Sequence, residues 1–220
     1  MKILAVEFSS EQRSVAVVER AGATVHVRGA AREIGGRNAH AVALIEEALQ
    51  QAKIEREEIE CIAVGLGPGS YTGIRAAIAL AQGWQLARAV KVVGISSVQC
   101  LAECAFAEGQ RGRISVIVDA QRDEFYLAGY ELSQTGTRET EPLHITSRAA
   151  VKRRMDEKQI LVGPDVKMIC PEEPNLFPDA GVLGRIAVDK ENFVRGEQLE
   201  PIYLREISFV KAPPPRLIPD

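Results

Sequence analysis

Very little in this 220-residue chain offers a ready-made reactive centre. Its three histidines, His26, His40 and His144, include no i, i+4 pair, which excludes a helical two-histidine metal site. Its four cysteines, Cys61, Cys100, Cys104 and Cys170, contain no CxxC spacing, so reduced and buried thiols are expected rather than a zinc or redox centre. No GxSxG segment is present, and Ser70 lies in GPGSY, which is not a nucleophile elbow. The net charge of −3 excludes a global basic field that would draw the chain to nucleic acid or membrane. No apolar run is long enough to span a bilayer. The opening MKILAVEFSSEQRS has one short apolar run and then polar residues, which is not the pattern of a signal peptide, so the cytoplasm is the expected compartment.

What is there reads as a globular α/β protein, with 46% hydrophobic and 26% charged residues. KILAVEFSS has the form of a buried strand, and RSVAVVER and ATVHVRGA alternate, which predicts a three-stranded meander. A helical stripe over 37–53 follows, with Ala41, Leu44, Ile45, Ala48, Leu49 and Ala52 on one face. IECIAVGL predicts a second buried strand, residues 73–89 a second helix, VKVVGI a short strand and residues 96–108 a third helix. Then the order restarts. ISVIVDAQRDEFYLAGYEL echoes the first hairpin and puts Asp119 where Glu7 stood, and helices over 147–157 and 181–192 flank the strand QILVGP. EPIYLREISFVKAPPPR closes the chain as an extended, proline-rich tail. A repeated order of elements predicts two lobes, 1–108 and 109–220, joined at the polar EGQRGR, with the second lobe smaller.

The densest motif is GLGPGSYTGIR, which ends a strand and opens a helix. Glycines there let a backbone approach a phosphate, and the helix N-terminus supplies free N–H groups, with Ser70 or Thr72 able to cap. Yet the lysine of a P-loop is missing, and Thr72 stands where GxGxxG needs its third glycine. Composition alone favours a tight turn over a ligand site. Arg75, one turn into the helix, suits a phosphate or a partner carboxylate, with an exposed surface arginine as the plainer reading. The helix itself is rich in Ala and Gly, which permits a tight core or a helix–helix interface. Gly83 in mid-helix suggests close packing, and Trp84, the single tryptophan, suits a core or an interface anchor. Glu7 and Asp119, at the ends of buried strands, are candidate acids for Mg²⁺ or water, against the plainer readings of surface turn and helix cap. SRAAVKRRMDEK carries Arg148, Lys152, Arg153 and Arg154, a solvated helix face before it is a patch for RNA.

GLGPGSYTGIRAAIALAQGWQLA with VVGISSVQCLA, SVIVDAQRDEFYLAGYE, EPIYLRE and the opening KILAVEFSS together resemble the TsaB (YeaZ) family of bacterial tRNA-modification proteins. The resemblance covers most of the chain, least clearly from residue 138 to residue 200. It implies an ASKHA-like fold of two RNase-H-like lobes, as in actin and Hsp70. It further implies an accessory role in making threonylcarbamoyladenosine next to the anticodon, with threonylcarbamoyl-AMP as donor. The partners it implies are a TsaD-like catalytic subunit and a TsaE-like ATPase, with tRNA met through the complex. TsaD carries a metal-binding HxxxH on its first helix. Here His40 is followed by Leu44, so the pair is absent, and Glu7 stands where the family usually ends its first strand with aspartate.

These readings predict a non-catalytic scaffold with no metal and no required cofactor. The helices over 37–53 and 73–89 would form the partner surface through His40, Leu44, Ala76, Leu80, Gly83 and Trp84, and would support a homodimer when the partner is absent. Gly67, Pro68, Gly69, Ser70, Tyr71, Thr72, Gly73 and Arg75 would present a loop to that partner or to ATP or ADP held between the subunits. The alternative is an active ATPase or phosphotransferase of the same fold using Glu7 and Asp119 with Mg²⁺. A peptidase ranks last, because no nucleophile and base pair is evident.

Overall fold

The computed structural model describes residues 1–35 and 40–204. Strands β1 (Lys2–Glu7), β2 (Gln12–Ala21) and β3 (Thr24–Ile34) form the expected meander. Helix α1 (Ala41–Ala52), strand β4 (Cys61–Gly65), helix α2 (Tyr71–Ala87), strand β5 (Lys91–Ile95) and helix α3 (Ser97–Ala107) complete the first half. Residues 37–39 of the first expected helix lie outside the described residues. β4 and β5 run parallel to β1, giving a five-stranded sheet in the order β3-β2-β1-β4-β5.

The second half repeats the scheme with less. Strands β6 (Gly112–Asp119), β7 (Glu124–Ser133) and β8 (Gly136–Ser147), helix α4 (Arg148–Asp156) and strand β9 (Ile160–Val162) form a sheet in the order β8-β7-β6-β9. Helix α5 (Ala180–Val188) follows, and a segment to Leu204 returns to the first sheet. β8 has no counterpart among the sequence-based expectations. Its residues, GTRETEPLHITS, are largely charged or half-exposed, and a bulge near Gly129 interrupts its register with β7, so no alternation marks it. The β6–β7 turn holds Gln121, Arg122 and Asp123 in consecutive left-handed conformations, at φ 61°, 57° and 62°.

Apolar faces sort these elements into layers. β1, β2 and β4 alternate, sending Leu4, Val6, Val15, Val17, Ile62 and Val64 toward α1 and α2. Their other face, with Ile3, Ala5, Ala16, Val18, Cys61 and Ala63, meets Cys100 and Cys104 of α3 and Leu183 and Ala187 of α5. The opposite side of α3, Val98, Leu101, Ala102 and Ala105, packs on the second sheet, whose far face is covered by Val151 of α4. α3 therefore serves both sheets, and α5 crosses from the second half of the chain to cover the first sheet.

The cysteines lie in these layers as free thiols, three of them buried and Cys170 half-buried. Burial pushes the Cys61 thiol up to about 12 and Cys100 well above its ordinary value. A thiolate-selective reagent such as Ellman's should accordingly modify at most Cys170 in the native chain and all four thiols after denaturation. Rapid native modification of Cys61, Cys100 or Cys104 would contradict this packing.

Candidate functional site

The glycine loop joins β4 to α2, and several of its backbone groups are hydrogen-bonded to neighbouring elements. The Leu66 N–H donates to the Ile95 carbonyl (2.9 Å), and the Ser70 N–H donates to the Ser9 carbonyl (2.7 Å). The Gly67 N–H donates to Ser97 Oγ (3.1 Å), and the Ser97 N–H donates back to the Gly67 carbonyl (2.9 Å). Ser70 caps α2 by accepting from the Gly73 N–H (3.2 Å). Gly73 itself must be glycine, because a Cβ there would stand 2.0 Å from the Phe8 carbonyl oxygen. The inner donors of this loop thus hold the chain together, and Tyr71, Thr72 and Arg75 are left on the surface.

Glu7 is the centre of the fastening. It is fully buried at the end of β1. Its Oε1 accepts the Ser9 N–H (2.8 Å) and its Oε2 accepts the Ser97 hydroxyl (2.8 Å). A Cβ at Gly65 would fall 2.0 Å from Oε2, so the strand beside it carries no side chain. Burial pushes the carboxyl above the ordinary glutamate range, with the Ser9 and Ser97 hydrogen bonds pulling partly back. Both oxygens of Glu7 therefore face protein donors, Ser9 and Ser97. Asp119 is engaged as well. Its Oδ1 accepts the Gln121 N–H (2.8 Å), and its own N–H donates to Asp165 Oδ2 (2.8 Å). Asp165, which carries no motif that would single it out, is pushed up by burial and by the nearby Asp119 and Glu11 carboxylates. Among the described residues no group of three His, Cys, Asp or Glu is arranged to hold a metal ion.

The second feature is an apolar groove of about 950 Å³ between α1 and α2. Ala41, Val42 and Ile45 line one wall, Ala76, Ala79, Leu80, Gly83 and Trp84 the other, and Arg56, Glu57 and Arg88 stand at its edge. Four of the six residues expected at a partner surface, Ala76, Leu80, Gly83 and Trp84, are thus brought together. Leu44 is not among them. It is 5% exposed and belongs to the core, because 44, 45, 48, 49 and 52 form the stripe of α1 that faces the sheet. His40 is exposed beside the N-terminus of α1, with Nδ1 3.4 Å from Glu33 Oε2. Gly83 packs on nothing in the core: no other described residue lies within 4 Å of the place its Cβ would occupy, which leaves it open on the groove wall. Trp84 is half-buried, and its Nε1 is buried without a hydrogen-bond partner among the described residues.

Tyr203 is a site residue that sequence reasoning missed. The returning segment delivers it through the Ile202 N–H, which donates to the Leu66 carbonyl (2.9 Å), and its ring stacks on Tyr71 with centroids 5.6 Å apart. EPIYLRE was legible as a signature but not as a strand of contacts to the glycine loop.

Two lobes built on the same strand order, with a strand–glycine loop–helix unit in the first, define an ASKHA-like α/β protein. The family model described as TsaD, tRNA N6-adenosine threonylcarbamoyltransferase, matches residues 36–159, more than half of the chain. The tRNA threonylcarbamoyladenosine biosynthesis protein TsaB of Escherichia coli (strain K12) is 28% identical over 235 residues, covering 97% of this chain and 99% of that one. Its namesake in Buchnera aphidicola subsp. Schizaphis graminum is 30% identical over 170 residues, covering 76% and 80%. The solved structure of YeaZ from Pseudomonas aeruginosa superimposes with a TM-score of 0.75 at 25% identity, covering 92% of this chain and 99% of that one. The chain belongs to the TsaB (YeaZ) family.

Two outcomes test this geometry. A carboxyl whose folded pKa lies above its unfolded value, near 4.5, holds its proton more tightly in the folded chain. Its contribution to stability is complete below that value and is lost as pH rises through the folded one. In urea unfolding, the stability of the wild type relative to Glu7→Gln should therefore fall as the pH rises above the ordinary glutamate range; a relative stability that rises with pH would contradict the buried-carboxyl account. Separately, Gly83→Ala should stabilise the isolated chain by about 0.5–1 kcal/mol, the ordinary helix-propensity gain, because the added methyl comes within 4 Å of no other described residue. Destabilisation would show that the helix packs closely there after all.

Proposed function

We propose that this chain is a non-catalytic subunit of the machinery that makes threonylcarbamoyladenosine in tRNA, and that it docks a TsaD-like catalytic subunit through the α1–α2 groove. The observation that carries this reading is the groove. A small-residue helix face, Ala76, Ala79 and Gly83, lies open beside a half-buried tryptophan on a chain whose first-strand acid is sealed in the interior. Exposed Ala and Gly gain little from burial within one chain, but they let a partner's helix approach closely. Family membership supplies the pathway, since the relatives of known name are threonylcarbamoyladenosine biosynthesis proteins.

In this reading the chain positions and activates its partner, a TsaE-like ATPase joins the pair, and tRNA is met through the complex. A second copy of the chain occupies the groove when the partner is missing. The chain needs no cofactor of its own, and ATP or ADP enters between the subunits. The phosphotransferase alternative is disfavoured by one specific fact: Glu7, its first acid, has both oxygens committed to Ser9 and Ser97.

A stable interface of this kind buries on the order of 1,600 Å² in total. Ala76→Arg and Leu80→Glu each place a charge in the groove, and each should abolish co-purification with the TsaD-like subunit while the circular dichroism spectrum is retained. Complex formation that survives both changes would eliminate this docking surface. Reconstituted tRNA modification that runs equally well without this chain would eliminate the accessory role itself.

A further inference from the structure

At the N-terminal end of the groove, α2 carries a cluster that the docking reading does not use. The Arg75 guanidinium carbon lies 4.0 Å from the centre of the Tyr71 ring, four residues earlier on the same helix. Tyr203 stacks on Tyr71 with the two planes 25° apart, and its hydroxyl stands beside the same guanidinium. All three side chains reach the surface, Tyr71 at 54% and Tyr203 at 39% exposure. Arg75 makes no ion pair with any described carboxylate.

We propose that Tyr71, Arg75 and Tyr203 form an anchor that takes a carboxylate side chain of the catalytic subunit occupying the α1–α2 groove. This rests on the docking reading above and adds the chemistry and the orientation of the occupant. Three observations support it. First, the anchor is continuous with the groove, because Ala76, next to Arg75, lines it. Second, the guanidinium is held against an aromatic ring, so little side-chain entropy remains to be lost when its planar fork closes on a carboxylate. Arginine and tyrosine are also the residue types in which interface energy concentrates. Third, the charges at the groove's other edge are already matched: Arg56 pairs with Glu46 at 2.7 Å, and Arg88 with Glu57 at 3.6 Å. A second copy of this chain would therefore bring rim carboxylates that are already engaged. The anchor selects the foreign partner over self-association.

The test uses the full chain and the TsaD-like subunit of the same organism, with affinity read by calorimetry over a salt series and self-association by analytical ultracentrifugation. Arg75→Glu should weaken the heterocomplex by at least about tenfold and reduce its salt dependence. Arg75→Lys, which keeps the charge without the fork, and Tyr203→Ala, which removes half of the platform, should each weaken it by at least about threefold. Arg153→Glu, an exposed cation on α4, should leave it unchanged, as should every variant the self-association constant. Thermal midpoints equal to the wild type's show that the variants are folded. A smaller loss in Arg75→Glu overturns the anchor, as does a parallel loss of self-association. Saturable ADP binding by the isolated chain that Arg75→Glu abolishes also overturns it, since the anion would then be a phosphate. If Ala76→Arg destroys the complex and Arg75→Glu spares it, the anchor alone fails. If neither change affects it, the docking reading fails.

Discussion

A buried carboxylate is costly unless its oxygens are filled, and in this chain the filling of one carboxylate determines where the neighbouring elements go. Glu7 ends β1, receives a proton-bearing group from the chain just beyond it and another from the first residue of α3, and through Ser97 reaches the glycine loop. Three elements from distant parts of the sequence are thereby fixed around one side chain. Gly65 gives it room, and Ser70 and Gly73 then start α2 against the backbone of Phe8 and Ser9. The direction of α2, and with it the width of the groove beside α1, follows from this arrangement. An acid that ends a first strand is a natural place for chemistry in a two-lobed protein; here that acid is hydrogen-bonded on both oxygens and joins three elements.

The surface that results is economical in an unusual sense. Helix α2 buries Ile74, Ala77, Ile78 and Ala81 in the core, while its small residues at 76, 79 and 83 form a shallow wall on the outside. Bulkier residues there would fill the groove from within the chain. Trp84 is the exception, with its ring against the core and its nitrogen left without a partner among the described residues. The groove leaves these small apolar residues uncovered within the chain, between matched charges at one edge and Arg75, held against Tyr71, at the other.

Much of this was legible in the sequence, because period-2 and period-3.6 patterns report which face is buried. The meander, the five helices and the smaller second sheet all follow from such patterns; of the two candidate caps for the second helix, Ser70 and Thr72, packing selects Ser70. What was not legible depended on partners distant in the chain. A carboxylate after a buried strand reads the same whether it meets water or Ser97, ninety residues away. Leu44 and Ala76 both sit on apolar helix faces, and only packing shows that one faces the sheet and the other the groove. β8 hides behind charged residues, and Tyr203 acquires meaning only when its segment returns to Leu66.

The crossing of α5 has a consequence for how the molecule can be divided. The face of the first sheet that carries Ile3, Ala5, Ala16, Val18 and Ala63 is sheltered in part by Leu183 and Ala187, which are encoded more than a hundred residues later. A fragment ending after α3 would be left with uncovered apolar strands and with the bare back of α3, where Val98, Leu101 and Ala105 expect the second sheet. The two halves look like modules in the order of their elements, yet neither owns a closed core. They are better regarded as the two leaves of a single binding, which come apart only together.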